Sequence, residues 1–385
     1  MIVAAACELF AERGFAAVGI KEIAARLGIT GGAIYRHFPD KEALLEAAAV
    51  GALGRFMSDG SVADSSDQPT SPPSIGQVID RMVRTALDEP AWLTTYHRER
   101  HRLDQSSHPE LTRCQEAWSE LWSSALRDAR PKLDDIAIAT RRHAVVGALA
   151  IAGDPSLAVA RPALDSLLSE SLLSMVVSPA VKAHRRAEPP RSWQPPRTRR
   201  DEILSAALGL IRQHGYHGVG IDQISEAIGL AGPSFYAHVS SKLEILLDAY
   251  YRANAAVDVG AERALQAAAS ADEAMVGLAR SYVDAAFANA DLLSVAMREM
   301  HAIEAADRPM WSRRRRAIRG VWSAVLREVR PELSEGETRA LVHHALPLVV
   351  NVALNRQDGR PSAPEAESLV LAFLLSDVNG SDSAR

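Results

Sequence analysis

The sequence predicts an all-α protein made of two tandem copies of one helical module, and three observations carry that prediction. Apolar residues make up 47% of the 385 positions and aromatics only 5%, with Ala and Leu plentiful and β-branched runs scarce. Helices packed through small and aliphatic side chains have this composition. Apolar residues also recur at helical spacing in one segment after another, with Pro or Gly between the segments. Finally, Ile203 to Leu246 repeats Ile2 to Leu45 at a constant offset of 201 with no gap, a regularity that chance does not produce. A chain of this length exceeds one ordinary core, so several domains are expected.

The first helix is expected over Ile2 to Arg13, ending at Gly14-Phe15. Ile20, Ile23, Ala24 and Leu27 give a second, short amphipathic helix, and Gly28 stands where a left-handed C-terminal cap belongs. Thr30 can cap a third helix, whose first residues, Gly31, Gly32 and Ala33, carry almost no side chain and let its N-terminus approach another surface closely. Two short helices joined by a turn of about three residues containing Gly describe a helix-turn-helix, whose second helix enters the DNA major groove N-terminus first. That helix carries Tyr35, Arg36, His37 and Phe38, and Pro39 with Asp40 stops it and caps the next helix. Lys41, at the N-terminus of that helix, is expected to clamp a phosphate. Phe38, Leu44 and Leu45 should be buried beneath the hairpin.

At these residues the chain resembles the TetR-type bacterial regulators. The resemblance rests on Leu27, Gly28, Ile29, Thr30, Gly32, Ile34, Tyr35, His37, Phe38, Lys41 and Leu44, and it recurs in the second copy, where Gly229, Tyr236, His238 and Lys242 answer Gly28, Tyr35, His37 and Lys41. It implies that Tyr35 and Tyr236 touch phosphates, with simple packing as the other reading, and that His37 and His238 cap or contact the backbone. The second reading helix offers Ala231, Gly232, Pro233, Ser234 and Ala237 where the first offers Thr30, Gly31, Gly32, Ala33 and Arg36. A guanidinium can donate two hydrogen bonds to a guanine edge and an Ala methyl cannot, so the two heads should read different half-sites. The family usually has a few residues, often basic, before its first helix. With Met1 as the start, either the start is late or the first head lacks that arm.

After Leu45 a helix should continue to about Met57, followed by a polar, Pro- and Ser-rich loop from Ser58 to Ser74. Helices are then expected at about 75 to 88, 91 to 104, 109 to 129, 134 to 151 and 162 to 176, broken at Pro90, Pro109, Pro131 and Gly153-Asp154-Pro155. His184 to Arg200 holds four prolines and six arginines and reads as an interdomain linker. Past the heads the repeat continues at an offset of 200. Arg98-Glu99-x-His101 is answered by Arg298-Glu299-x-His301, Trp122 by Trp322, Arg130-Pro131 by Arg330-Pro331 and His143 by His343. The expected domains are therefore a first head at 1–50, a first helical bundle at 51–183, the linker at 184–200, a second head at 201–249 and a second bundle at 250–385. The resemblance implies a homodimer joined by the last two helices of each subunit. Here both subunits lie in one chain, so an intramolecular pseudo-dimer is expected, through 134 to 151 with 162 to 176 and 335 to 354 with 364 to 376.

The formal charge of −5 excludes a generally basic nucleic-acid coat, so DNA binding must come from locally placed cations and helix N-termini. Cys7 and Cys114 are the only cysteines. With no CxxC pair and no Cys/His zinc spacing, neither a disulfide scaffold nor a zinc finger is expected. The cysteine usage suits a reducing cytoplasm, and the most apolar tract, Ala340 to Leu354, is too short for a membrane span and contains His343, His344 and Asn351, so no span is expected. No nucleophile elbow, phosphate loop, HExxH or paired-carboxylate site is present, and no catalytic residue, metal or cofactor is assigned. In the Arg-Glu-x-His repeats, the Glu and His point to different faces of a helix, which favours a salt bridge or pocket lining over a metal site. Arg313 to Arg316 reads as a solvated face. Trp92, Trp118, Trp122, Trp311 and Trp322 lie on amphipathic helices as core or interface, and Trp118, Trp122, Trp311 and Trp322 are also candidates for the wall of a ligand pocket.

These expectations add up to a sequence-specific DNA-binding regulator. The resemblance implies a repressor released from its operator when a small apolar or amphipathic effector enters a bundle. The rival readings are an interaction or ligand-sensing protein whose DNA heads have degenerated, and an all-helical enzyme.

Overall fold

Periodic apolar stripes decide the architecture of the computed structural model, and its helix ends fall where Pro, Gly and small polar residues place them. The structure describes residues 1–57, 72–103, 108–154, 157, 159–180, 198–216, 218–290, 292–293, 295, 308–355 and 362–376. Among the described residues there are helices and no strands. The first half contains α1 (Ile2–Arg13), α2 (Ile20–Arg26), α3 (Gly31–Tyr35), α4 (Lys41–Met57), α5 (Ile75–Asp88), α6 (Pro90–Glu99), α7 (Pro109–Ala129), α8 (Asp135–Leu149) and α9 (Arg161–Val177). The second contains α10 (Arg199–His214), α11 (Ile221–Ala227), α12 (Gly232–Phe235), α13 (Lys242–Ala267), α14 (Ala271–Ala288), α15 (Arg308–Val329), α16 (Glu335–Leu354) and α17 (Ala363–Leu374).

Two expected boundaries move. The segment expected as a helix over 91 to 104 is α6 followed by a single 3-10 turn, Arg100–Arg102. The linker expected to end at Arg200 gives up its last residues, because Thr198 accepts a hydrogen bond from the Asp201 N–H and so starts α10 at Arg199. Most of the expected linker, 184–197, and most of the Ser58–Ser74 loop lie outside the described residues. Ser74, at the end of that loop, caps α5. Each head also runs into its bundle along one unbroken helix, α4 or α13, so the expected boundaries at 50/51 and 249/250 fall inside helices.

The halves pair through α8 and α9 of the first and α16 and α17 of the second, the four helices expected. The crossing of α8 and α16 requires a glycine. A Cβ on Gly147 would lie 2.6 Å from Asn351 Cβ and 2.8 Å from the Pro347 carbonyl oxygen. Asn351 Nδ2 donates to the His143 carbonyl across the same contact (2.7 Å). Nearby, the fully buried Arg141 guanidinium forms an ion pair with Glu365 and donates to the carbonyls of Val176 (3.0 Å), Ala137 (3.1 Å) and Ser178 (3.0 Å). A buried charge is tolerated only when its donors are satisfied in this way. The repeated Arg-Pro pairs have one shared structural use. Arg130 and Arg330 each donate to a carbonyl at the end of their own half's last helix, that of Val177 and that of Leu374, which has no helical partner.

Candidate nucleic-acid interface

Each head is a three-helix unit whose short third helix projects from a small core. In the first, Ile23, Ala24, Ile34, Leu44 and Leu45 are buried and Phe38 is half-buried. Gly28 has φ +67° and Gly229 φ +64°, the left-handed conformation expected at the turn. The residues assigned to the reading surface stay outside. Tyr35 is 56% exposed and Tyr236 58%, and Thr30, Gly32, Arg36, His37, Ala231, Ser234 and His238 are also exposed. Gly31 and Ala33 are half-buried, and a Cβ at Gly31 would meet nothing within 4 Å, so the turn presents bare backbone. Gly232 and Pro233 open α12 in the first turn, where a proline removes no helical hydrogen bond.

Three details differ from the sequence reading. Thr30 occupies the cap position of α3, but its side chain makes no capping bond. The reading helix is shorter than expected, ending with Tyr35, with Arg36 at its C-cap. The capping of α4 by Asp40 is present, through the Ala43 N–H (2.7 Å).

The third difference concerns the expected phosphate clamps, Lys41 and Lys242. Lys41 Nζ turns inward and donates to the carbonyls of Phe15 (2.9 Å) and Val18 (3.0 Å), 4.1 Å from the centre of the Phe15 ring. Lys242 does the same with the carbonyls of Tyr216 (2.5 Å) and Val219 (2.7 Å), 4.3 Å from the Tyr216 ring. The connection after the first helix of each head leaves these carbonyls facing the start of the fourth. An ammonium there ties the helices together, and burial lowers the Lys41 pKa. Both lysines therefore act as staples of the head, with at least two of three ammonium donors used internally.

The Arg98-Glu99 segment joins the first head to its bundle. Buried Glu99 accepts from the Phe15 N–H (3.1 Å) and from Arg102 Nε (2.7 Å), Arg98 Nη1 donates to the Ala11 carbonyl (2.8 Å), and Thr95 Oγ1 to that of Cys7 (3.0 Å). Glu99 does form a salt bridge, but with Arg102, which lies outside the motif, and Arg98 bonds a carbonyl instead. No periodicity signalled Thr95 or Arg102. Arg102 also lies against the second head, since a Cβ at Gly215 would sit 2.4 Å from its Nη2. The second copy of the motif, 298–301, lies outside the described residues.

Trp118, Trp122 and Trp322 are core residues. Trp122 Nε1 donates to the Ile138 carbonyl (3.1 Å), Trp118 packs between Phe56 and Trp122 at 5.7 and 6.0 Å, and Trp322 meets Tyr282 edge-on at 5.8 Å. The Trp311 side chain lies outside the described residues. A cleft of about 750 Å³ opens elsewhere, where the turn 129–134 meets Ser178, Pro179 and Glu365 at the pairing seam. In the arginine run, Arg313, Arg315 and Arg316 are exposed, as a solvated face requires, while Arg314 pairs with Asp258. Among the described residues no group of His, Cys, Asp and Glu could hold a metal, and no helix is long and apolar enough to cross a membrane.

Two three-helix heads with exposed reading turns, carried on paired bundles, define a tandem helix-turn-helix protein. Residues 2–48 and 203–249 each match the family of bacterial regulatory proteins, tetR family, so the two heads are a tandem pair of tetR-type N-terminal domains. It is 48% identical over 56 residues to the uncharacterized HTH-type transcriptional regulator YerO of Bacillus subtilis, a match covering 14% of this chain and 19% of that protein. It is 43% identical over 49 residues to the HTH-type transcriptional activator FasR of Mycolicibacterium smegmatis, covering 13% and 22%. The chain thus spans about a fifth of the length of these relatives. Among solved structures it is similar to the TetR family transcriptional regulator PfmR of Thermus thermophilus, with 19% identity, 45% of this chain and 94% of that one covered, and a TM-score of 0.39. The superantigen PfiT shares 21% identity over 47% and 97%, with a TM-score of 0.38.

Proposed function

We propose that this chain is a sequence-specific DNA-binding transcriptional regulator, a repressor that occupies a whole operator as one molecule. The observation that carries the reading is the pairing of α8 and α9 with α16 and α17, which holds two helix-turn-helix heads in one chain. Thr30, Gly31, Gly32, Ala33, Tyr35, Arg36 and His37 meet one half-site, and Ala231, Gly232, Pro233, Ser234, Tyr236 and His238 the other. Heads on one face of a duplex must lie about 34–36 Å apart, or a multiple of that. An effector that binds one arrangement of the bundles more tightly than the other shifts the population and releases the operator, whereas equal binding to both would release nothing. The test is selection of bound duplexes from random DNA, followed by the solution mass of the complex. One chain per operator is expected, and two chains on one short operator would overturn the reading.

A further inference from the structure

Helices α14, α15 and α16 of the second bundle pack against one another, and α15 brings Arg315 and Arg319 to this junction. Arg315, Arg319 and Trp322 follow one another at i, i+4 and i+7 along one face of α15. The first is exposed, the second half-buried and the third buried. Among the described residues Arg319 has no hydrogen bond and no ion pair. Burial pulls its pKa down to about 10, with the Arg315 charge adding to the shift and Asp154 and Tyr282 opposing it.

The same charges are felt by His343 on α16, which is 2% exposed and whose two ring nitrogens make no hydrogen bond. Its Nε2 lies 3.5 Å from an Asp154 carboxylate oxygen. Burial first, and then the Arg319 charge, hold this imidazole neutral. His344 beside it is pushed down to about 4 by burial, with Nδ1 2.6 Å from the Ala148 carbonyl. The charge of Asp154 acts on Arg319 and His343, and that of Arg319 reaches Tyr282, which meets Trp322 edge-on. Groups buried without partners ordinarily mark a site whose partner arrives from outside.

The first bundle lacks this arrangement. At the offset of 200 it offers Met82, Gln115 and Ser119 in place of Tyr282, Arg315 and Arg319. There the Ser119 hydroxyl already accepts from Arg142, and Phe56, Trp118 and Trp122 fill the space alongside.

We infer that the second bundle, and not the first, holds a site for a small monocarboxylate with an apolar body, its carboxylate received by Arg319 and the His343 ring. The apolar body lies against Tyr282 and Trp322. This inference rests on the effector reading above and names the chemical class of the effector. A route from the site to the pairing seam exists within α16. Pro347 has no N–H to give the His343 carbonyl, so the helix can bend between the site and the Gly147 crossing.

The test uses the full chain with hexanoate, decanoate and benzoate, each beside its matched alcohol and amine, and measures melting temperature, calorimetric affinity and operator binding. At least one carboxylate is expected to raise the melting temperature while its alcohol and amine do not. Arg319→Met should raise the melting temperature of the ligand-free chain, by removing an unpaired half-buried charge, and weaken carboxylate affinity by about tenfold or more. Arg319→Lys should restore part of that affinity, and Ser119→Ala should leave it unchanged. If alcohols or amines bind and release DNA as well as carboxylates do, the anion site is overturned while the effector reading stands. Carboxylate binding that depends on Arg319 but leaves operator affinity unchanged would support the site and overturn the effector reading. No response to any carboxylate would overturn the site itself.

Discussion

The two heads have the same local fold, and among the described residues different contacts hold them in the molecule. The apolar core of the first is continuous with the bundles, running from Ala5 and Phe10 through Phe56 to the pairing helices. The second head keeps a core of its own, from Ile203 to Tyr250 with Val295. The first is latched by buried bonds from Thr95, Arg98 and Glu99 to main-chain groups of α1 and the turn after it. The second is braced by exposed ion pairs, Arg200 with Glu244 (2.7 Å) and Asp248 (3.3 Å), and Arg252 with Asp201 (2.8 Å) and Asp248 (3.2 Å). Exposed pairs are individually worth ~0–1 kcal/mol and are screened by salt, whereas a buried hydrogen bond to a carboxylate is harder to lose. Among the described residues the two copies keep one reading unit and differ in the contacts that attach it.

The largest effect should come from the seam on which both heads depend. Glu365→Ala strands the Arg141 guanidinium in the interior, which should destabilise the chain by ~3–5 kcal/mol. Chemical denaturation would read that loss. If the heads share one frame, operator affinity falls with it, and unchanged stability would mean that the seam does not carry the pairing.

Next, Glu99→Ala removes the acceptor of the buried Phe15 N–H and should cost ~1–3 kcal/mol. Hydrogen exchange should speed up in α1 to α3 and leave α11 and α12 nearly untouched. Equal loosening of both heads would erase the difference in attachment.

The lysines sharpen the comparison from the opposite side, because here the heads match. Lys41→Met and Lys242→Met should each destabilise their own head by ~1–2 kcal/mol through two lost carbonyl bonds. The log-log salt slope of DNA binding should stay nearly constant. A slope flatter by about one unit at full stability would restore the phosphate-clamp role.

The smallest structural effect belongs to Arg36→Ala, at an exposed residue whose loss should leave stability unchanged. Base preference should relax by ~1–3 kcal/mol at one position of one half-site only. A perfect palindrome among selected sequences, or equal relaxation in both halves, would show that both heads read alike.

What the sequence determined by itself was whatever lies within a helical turn or repeats at a fixed offset. The helices at 75–88 and 109–129 fall on their expected bounds, Gly28 and Gly229 take the expected left-handed turn, and the register of 201 and then 200 fixed two modules and the four helices that join them. Helix starts and stops follow from caps, prolines and periodic apolar residues, all within a few positions of one another. Where a long side chain spends its donors is decided by groups far off in sequence, and only the tertiary structure decided that. Lys41 folds onto carbonyls 26 and 23 residues away, although at the head of a helix it looked like a phosphate ligand. Glu99 finds its partner at Phe15, 84 residues back. Arg141, which no pattern singled out, meets Glu365 across the whole duplication, 224 residues on. An ammonium or guanidinium reaches any acceptor that packing brings near its flexible stem, and packing joins segments by shape and burial, which local spacing does not encode.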